Sequence, residues 1–112
     1  EDQGRIVGVG QVKPHRDGTR ELASIAVIPE RQGCGIGSAI IHALMAREQG
    51  PLYLTTNFPL EGYYRRFGFV RVEPKEMPSS LWWIYRISAL LAPLTRLFIA
   101  GGVRIIVMKR GG

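Results

Sequence analysis

The chain has 112 residues, of which 46% are hydrophobic and 21% charged, and it contains a single cysteine. This composition is typical of one soluble globular domain, and one thiol cannot form an internal disulfide. The two histidines are far apart and no Cys/His cluster has zinc spacing, so we expect a reducing, cytoplasmic environment and no metal. The N-terminus lacks the pattern of a secretory signal, and the charge-free apolar stretch at residues 87–95 is too short to span a membrane.

The net charge of +6 is unevenly distributed along the chain. Residues 1–76 carry ten basic and nine acidic side chains, whereas residues 77–112 carry five basic and no acidic ones. A positive field of this kind favours a polyanion, whether a nucleotide phosphate, a lipid headgroup or a nucleic acid. The charge pattern therefore indicates a class of partner without choosing among its members.

The first third of the chain predicts two strands joined by a hairpin turn. Residues 5–13 are rich in valine and alternate imperfectly, and residues 14–18 have the composition of a turn. Residues 20–28 carry apolar side chains on both alternating faces, which is typical of a strand covered on both sides. We therefore predict a central strand there, ended by Pro29.

A glycine-rich turn follows this strand and leads into an amphipathic helix at residues 38–49, where apolar residues recur at helical spacing. No internal repeat is present, and no composition shift before residue 77 marks a second domain, so we treat 1–112 as one domain. The remaining predicted elements are a strand at 52–56, a short helix at 60–67, a strand at 69–72, an apolar segment at 81–100 and a strand at 103–108.

The glycine turn is the first candidate site. A turn between a central strand and a helix N-terminus exposes several backbone amides around a concave loop, and phosphate oxygens bind well there. The spacing of Gly33, Gly35 and Gly37 matches neither the dinucleotide fingerprint nor the P-loop. Taken alone, the three glycines are also compatible with a tight turn that merely needs glycine.

The residues around this turn resemble those of a known family. Residues 27–38 (VIPERQGCGIGS) resemble the V-x-P-x-x-[RQ]-G-x-G-I-G-S signature of the GNAT superfamily of N-acetyltransferases. A second stretch at 63–69 (YYRRFGF) is similar to the family's Y-x-x-x-G-F element. The resemblance covers residues 5–73, with 103–110 as the last family strand, and implies an α/β fold with a mixed central sheet flanked by helices.

The resemblance also implies that acetyl-CoA is a co-substrate. In the family its pantetheine arm pairs with the strand before the glycine turn, where two parallel strands splay apart, and its pyrophosphate sits on the turn. The implied cofactor-binding residues are Ile25, Ala26, Val27, Ile28, Gln32, Gly33, Cys34, Gly35, Ile36, Gly37, Ser38, Asn57 and Tyr64.

Several nearby residues have two interpretations. Asn57 matches a position that often contacts CoA in similar proteins, but asparagine is also an ordinary helix N-cap. Cys34 occupies a variable position, and we expect no nucleophilic role for it. Arg31, Arg65 and Arg66 lie near the phosphates by position, although surface arginines are often simply solvated.

Two residues match catalytic positions of the family. Tyr64 corresponds to the tyrosine that protonates the leaving thiolate in many relatives, and its alternative is core packing beside Phe67 and Phe69. Glu21 corresponds to a carboxylate that serves in several relatives as general base for the attacking ammonium. Its alternative is a solvated carboxylate or a salt bridge to Arg20 or Arg5. Tyr63, next to Tyr64, is expected to pack, and a strand amide near Val27 would stabilise the oxyanion.

The chain departs from the family pattern in two ways. It starts at about the third family strand, so we expect the usual first strand and first two helices to be lacking, either because the sequence is truncated or because the protein is reduced. It also carries an apolar insertion at residues 81–100, in which 15 of 20 residues are hydrophobic. Pro93 predicts a kink, or two short helices that meet near Ala92. The apolar helical face comprises Trp83, Ile84, Ile87, Leu90, Leu91, Leu94, Leu97 and Phe98.

Three roles are open for this amphipathic segment. The favoured one is that its apolar face covers sheet surface left bare by the lacking helices. Dimerisation through the same face is the second, and binding to a membrane surface, supported by Trp82, Trp83 and the acid-free basic tail, is the third.

The predicted function is that of an acetyl-CoA-dependent N-acetyltransferase, in which a primary amine attacks the thioester directly in a ternary complex without a metal. The alternatives are a non-catalytic acyl-CoA-binding or regulatory domain, and a basic amphipathic protein of the membrane surface. Nucleic acid is a weaker partner, because aromatic and basic residues do not interleave on a strand. The amine acceptor and the acyl-chain length stay open.

Overall fold

A computed structural model describes Gly4 and residues 6–111, without the side chain of Ser24. Strands and helices follow one another in the predicted order, with ends that shift by a few residues. The strands are β1 (Gly8–Pro14), β2 (Arg20–Val27), β3 (Leu52–Asn57), β4 (Val70–Arg71) and β5 (Ile105–Arg110), and the helices are α1 (Ile36–Met45), α2 (Glu61–Arg65) and α3 (Ser79–Thr95).

The strands form one mixed sheet in the order β1-β2-β3-β5-β4. Neighbouring strands are antiparallel except β2 and β3, which are parallel. This arrangement confirms the predicted α/β class and the predicted internal position of β2.

The parallel pair β2 and β3 is joined at its beginning and separates towards its end. In the described part of the chain the register between these strands comprises one pair, Glu21 opposite Tyr53. The cause lies in the pairing of β2 with β1, where Val9 is opposite Ala26 but Gln11 is opposite Ala23. One residue of β1, Gly10, therefore faces two of β2, which is a bulge, and a bulge bends the strand that contains it. The gap between β2 and β3 opens towards the glycine turn.

The two faces of the sheet have separate cores. Side chains that alternate along β3 and β5 divide between them: Leu54 and Met108 join the core under α1 and α2, whereas Tyr53 and Val107 face α3. The core on the α1 side comprises Leu22, Ile41, Met45, Leu52, Leu54, Phe67, Phe69, Ile106 and Met108. The smaller core on the α3 side comprises Val72, Leu81 and Val107.

Helix α1 lies close over β1 because that strand carries glycine beneath it. A Cβ on Gly10 would stand 2.6 Å from Cγ2 of Ile40 and 2.5 Å from Cδ1 of Ile25. A side chain at this position would push the helix off the sheet, and with it the glycine turn that α1 begins.

The apolar segment at 81–100 forms one helix, α3, that contains Pro93 and ends at Thr95. The expectation of two helices that meet near Ala92 is therefore wrong. The physical reason is position: only Leu94 and Thr95 follow Pro93 in the helix, so too few residues remain after the proline to form a second helix.

The favoured role for the apolar face of this segment is also wrong. The residues of α3 that face the sheet recur at helical spacing and are buried or half-buried: Leu81, Tyr85, Ser88, Ala92 and Thr95. Apart from the two at the N-terminal end of the helix, these side chains are small. The large apolar residues of the predicted face are exposed instead: Trp83, Ile84, Ile87, Leu90, Leu91, Leu94, Leu97 and Phe98. The sheet is covered by the other side of the helix, where small side chains permit close packing.

The N-terminus of α3 is held by a residue from the β1–β2 hairpin. The residue that precedes the helix, Pro78, has no side-chain capping group, but Oδ2 of Asp17 accepts hydrogen bonds from the Ser80 amide (3.2 Å) and the Ser79 hydroxyl (3.3 Å). Asp17 therefore caps a helix 62 residues further along the chain.

None of the helices among residues 6–111 is long and apolar enough to cross a membrane.

Candidate active site

The glycine turn adopts a conformation that requires glycine at two of its positions. Gly33 and Gly35 have φ values of +84° and +81°, in the left-handed region that residues with a Cβ rarely adopt. Gln32 stabilises the turn, since its side-chain amide donates a 3.1 Å hydrogen bond to the carbonyl of Val27. Helix α1 begins directly after Gly35, so its first amides and its positive dipole end lie on the turn.

Gly37 is different, because the fold does not require a glycine there. Its φ is not positive, and a Cβ on Gly37 would meet the Tyr63 hydroxyl at 3.6 Å and Cγ2 of Val27 at 3.8 Å, which are ordinary contacts. Glycine in a helix is also less stable than alanine. The small residue at this position is therefore explained better by something that approaches the helix than by the turn itself.

A cavity of about 380 Å³ lies over the turn. Arg31 and Arg66 line it, and no carboxylate does among the residues the structure describes, which favours an anion. The lining residues are Val27, Arg31, Gln32, Gly33, Gly35, Ile36, Gly37, Ser38, Tyr63 and Arg66. Of the arginines considered near the phosphates, Arg65 lies elsewhere and pairs with Glu61 at 3.5 Å.

Two other residues of the turn region differ from the expectation. Tyr63 was expected to pack, and it does contact Phe67 ring to ring, but it also lines the cavity, with Arg66 stacked over it at 6.0 Å. Cys34 is exposed and is not among the lining residues. The sequence motif alone does not show that Tyr63 lines the cavity, because this position depends on how α2 packs beside α1.

The strand before the turn presents backbone groups to the gap beside β3. The amide of Ile28 donates to the carbonyl of Val7, which belongs to the chain that continues into β1. Hydrogen-bonding directions alternate along a strand, so the amide of Val27 points away from β1 and into the gap. Ile25 and Ala26 precede Val27 on β2 and Ile28 follows the strand directly, and all three are half-exposed or exposed.

Tyr64 lies at the edge of the core on the α1 side. Its ring packs edge-on against Tyr63 and Phe69, at centroid distances of 5.1 and 6.3 Å. Burial, with a smaller contribution from Tyr63, raises the pKa of Tyr64 above its ordinary value of 10.0. The phenol therefore keeps its proton at neutral pH and can donate it.

Glu21 is buried at the joined end of the parallel strands. Its Oε1 lies 2.8 Å from Nε2 of His15, and its Oε2 accepts a 3.3 Å hydrogen bond from the Thr55 hydroxyl. Arg20 pairs with Glu48 instead, so the suggested salt bridge between Arg20 and Glu21 is wrong. The other suggested partner, Arg5, lies outside the described residues.

The contact between Glu21 and His15 was not predicted from the sequence. His15 lies in the turn between β1 and β2, and the hairpin places its ring beside Glu21 at the beginning of β2. A carboxylate held by a histidine and a hydroxyl at the base of a gap is a suitable arrangement for moving a proton.

Asn57 acts as a helix cap, as one of its two interpretations predicted. Its Oδ1 accepts hydrogen bonds from the amides of Phe58 (3.0 Å) and Arg104 (2.9 Å). It thereby closes the end of β3 and ties it to the segment that leads into β5. Asn57 does not line the cavity over the glycine turn.

A second, larger cavity of about 580 Å³ lies on the α3 face near the same end of the sheet. It is bounded by α3, the end of β3 and the loop after α3, and its charged lining residues are Arg96 and Arg104. The lining residues are Asn57, Phe58, Pro59, Tyr85, Ala89, Ala92, Pro93, Arg96, Gly101, Gly102, Val103 and Arg104. The two cavities thus lie on opposite faces of the sheet, at the end where β2 and β3 separate.

The mixed sheet, its splayed parallel pair and the glycine turn form the arrangement that the family resemblance implied. The sequence model of the Acetyltransferase (GNAT) domain matches residues 1–71, and the chain therefore belongs to the GNAT acetyltransferase family. No curated protein sequence matches the chain significantly.

Solved structures share this fold at low sequence identity. N-acetylglutamate synthase from Neisseria gonorrhoeae, complexed with coenzyme A and N-acetyl-glutamate, superposes with a TM-score of 0.72 and 18% identity over 98% of this chain and 24% of that one. Rv2747 from Mycobacterium tuberculosis, in complex with CoA and NLQ, superposes with a TM-score of 0.66 and 20% identity, over 100% of this chain and 71% of that one. The ribosomal-protein-S18-alanine N-acetyltransferase from Escherichia coli superposes with a TM-score of 0.63 and 18% identity, over 98% of this chain and 64% of that one. The chain spans about a quarter of the length of the synthase.

Proposed function

We propose that this protein is an acetyl-CoA-dependent N-acetyltransferase that transfers an acetyl group to a primary amine. The observation that carries the proposal is Gly37, which the fold does not require to be glycine and which faces an arginine-lined cavity at the start of α1. Two of the solved structures described above contain CoA, which supports the same cofactor here.

The pyrophosphate of CoA would occupy the cavity over the glycine turn. Amides at the start of α1 would donate to its oxygens, and Arg31 and Arg66 would balance its charge. From there the pantetheine arm would run into the gap between β2 and β3, where the amide of Val27 is directed. This path brings the thioester towards the joined end of the strands, where Glu21 lies.

The chemistry would use residues on both sides of this gap. Glu21, directly or through a water, takes a proton from the ammonium, and the free amine attacks the thioester carbonyl. A β2 backbone amide that points into the gap stabilises the oxyanion, the carbon–sulfur bond breaks, and Tyr64 protonates the leaving thiolate. The products are an amide and CoA with its thiol restored, and no covalent enzyme intermediate is needed.

The amine would approach from the α3 face of the sheet. Glu21, Tyr53 and Thr55 alternate with the side chains buried under α1, so they lie on the face opposite the glycine turn's helix. The cavity bounded by α3 lies on that same face. Donor and acceptor would thus reach the reacting atoms from opposite sides, as a ternary complex requires.

Calorimetric titration with acetyl-CoA and with CoA, followed by thiol release against a panel of amines, tests this function. We expect micromolar binding and turnover of one class of amine. Binding without turnover would instead support a non-catalytic acyl-CoA-binding domain. The absence of both binding and turnover would mean that the glycine turn has only a structural role and that the proposed function is wrong.

A further inference from the structure

Helix α3 presents its most apolar side to solvent. We define its outer face as the exposed large apolar side chains from 83 to 99. Within the helix these are 42 to 67% exposed, and Leu97 and Phe98 beyond it are 75 and 86% exposed. The members of the outer face are Trp83, Ile84, Ile87, Leu90, Leu91, Leu94, Leu97, Phe98 and Ile99.

This arrangement is the reverse of an ordinary surface helix. The side that packs on the sheet contains Ser88, Ala92 and Thr95, whereas leucine, isoleucine and tryptophan point away from it. Folded proteins rarely expose a continuous apolar surface of this extent unless it binds something. The sheet does not cover the outer face, so this face is accessible to an occupant from outside the described residues.

The charge around the outer face favours one kind of occupant. Arg86 is exposed and lies one turn from both Trp83 and Leu90. No acidic residue occurs after Glu76. The outer face itself contains no acidic residue, so a second copy of it would offer Arg86 no carboxylate, whereas anionic lipid headgroups would complement its charge.

The aromatic residues and the length of the segment agree with this occupant. Trp82 and Trp83 pack edge-on at 4.8 Å, at the start of the outer face, and tryptophan is favoured at the boundary of lipid and water. The 17-residue helix does not meet the requirements for crossing a membrane. We propose that the outer face of α3 docks in the plane of an anionic lipid bilayer, with Arg86 at the headgroups.

This orientation leaves the cofactor cavity in water. The glycine turn begins α1, and α1 and α3 pack on opposite faces of the sheet. A bilayer against α3 would therefore not obstruct the cavity over the turn.

Co-sedimentation with vesicles tests the proposal. The 112-residue chain is mixed with vesicles of phosphatidylcholine alone or with phosphatidylglycerol, at about 0.05 M and about 0.5 M salt. We expect binding to the anionic vesicles that weakens in high salt. The double variant Ile87→Gln/Leu90→Gln should bind at least about tenfold more weakly, because its apolar anchors are removed.

A matched variant separates this face from general hydrophobicity. Ile6→Gln/Leu60→Gln makes the same two substitutions at exposed positions elsewhere, so it should bind like the unchanged chain. For charge, Arg86→Gln should weaken binding about fivefold, whereas Arg47→Gln, exposed near the end of α1, should have little effect. Circular dichroism confirms that each variant is folded.

A spectroscopic measurement reports the docked residue directly. In a Trp82→Phe variant, the remaining Trp83 should shift its fluorescence to shorter wavelength when anionic vesicles are added, since it leaves water. Lack of binding at low salt, or an equal loss in the two double variants, would overturn the proposal. A dimer in solution that Ile87→Gln/Leu90→Gln dissociates, without vesicle binding, would also overturn it and assign the face to self-association.

Discussion

Tyr64 and Tyr63 are adjacent in sequence but differ in their surroundings. Tyr64 packs against Phe69 at the edge of the core, and burial raises its pKa. Tyr63 lines the cavity over the glycine turn. If the proposed function is correct, the first should affect the chemical step and the second the binding of the cofactor.

Replacement of Tyr64 by phenylalanine tests this division. Tyr64→Phe should lower kcat about tenfold to a hundredfold, because the thiolate leaves without its proton donor, while the Kd for acetyl-CoA stays nearly unchanged. Steady-state kinetics and calorimetry measure the two quantities. Tyr63→Phe serves as the control and should change the Kd more than kcat. An unchanged kcat in Tyr64→Phe would contradict the assigned role and leave Tyr64 as a packing residue.

Ionisation of Tyr64 also has a consequence for stability. Its folded pKa is raised above the unfolded value of about 10, so the folded state holds the proton longer. The contribution to stability is complete below pH 10 and is lost as the pH rises through the folded pKa. Tyr64→Phe has no phenol to ionise, so its free energy of unfolding should fall less with rising pH above about 10 than that of the unchanged chain, as measured by denaturant titration at several alkaline pH values.

Glu21, the proposed general base, is held on both of its carboxylate oxygens. His15 and Thr55 contact its carboxylate, and the strands β2 and β3 meet at this residue. Such fixation suits a proton acceptor, because the group does not reorganise during the reaction.

We expect Glu21→Gln to lower kcat/KM by about a hundredfold or more, since glutamine keeps the shape but cannot accept the proton from the ammonium. The loss should diminish as the pH approaches the pKa of the amine, where the free base is present in solution. A pH profile of kcat/KM makes the measurement, with thermal melting to show that the variant folds. A loss that is independent of pH would point to a structural role for the carboxylate.

At the scale of elements, the glycine turn combines a requirement of the backbone with a requirement of the site. Gly33 and Gly35 need left-handed backbone, and Gly37 does not. These requirements can be separated by substitution only at Gly37, where a methyl group fits the folded chain.

Gly37→Ala should raise the free energy of unfolding by up to about 1 kcal/mol, because alanine favours the helix, and at the same time weaken the binding of acetyl-CoA. Gly62→Ala in α2 is the matched control: a Cβ there meets nothing within 4 Å, and Gly62 does not line the cavity. Both variants should be more stable in denaturant titration, but only Gly37→Ala should bind acetyl-CoA less tightly. Equal binding by the two variants would show that the cofactor does not approach α1 at Gly37.

At the scale of the whole molecule, Asp17 connects the hairpin to the helix near the other end of the chain. Hydrogen bonds, first from Thr19 and then from Ser80, hold the pKa of the Asp17 carboxyl well below its ordinary value. A depressed carboxyl pKa stabilises the fold above the unfolded pKa of about 3.9, and this contribution is lost as the pH falls.

Asp17→Asn should therefore lower Tm by a few degrees near neutral pH, and the difference from the unchanged chain should narrow below about pH 4. Thermal melts at several pH values provide the measurement. Ser79→Ala removes one contact to α3 but keeps Asp17 on the hairpin turn, so it should lower Tm less. A difference that stays constant with pH would mean that the charge of Asp17 does not hold the helix.

Local patterns predicted much of the fold and of the candidate site. Alternation gave the position of β2, the spacing of apolar residues gave α1, and the motif around Gly35 and Gly37 led to the family. Helix and strand ends were less accurate, because the final hydrogen bonds of an element depend on its neighbours. Asn57 could be predicted as a cap, since that role needs only adjacent residues.

The sequence by itself determined the family, the order of the elements and the glycine turn between β2 and α1, because these depend on residues close together in the chain. Only the tertiary structure decided that His15 holds Glu21, that Tyr63 lines the cavity and that Asp17 caps α3. It also decided which side of α3 meets the sheet. The helical pattern shows that two faces differ, but which face is buried depends on the space above Val107 and Tyr53, and residues distant in sequence create that space.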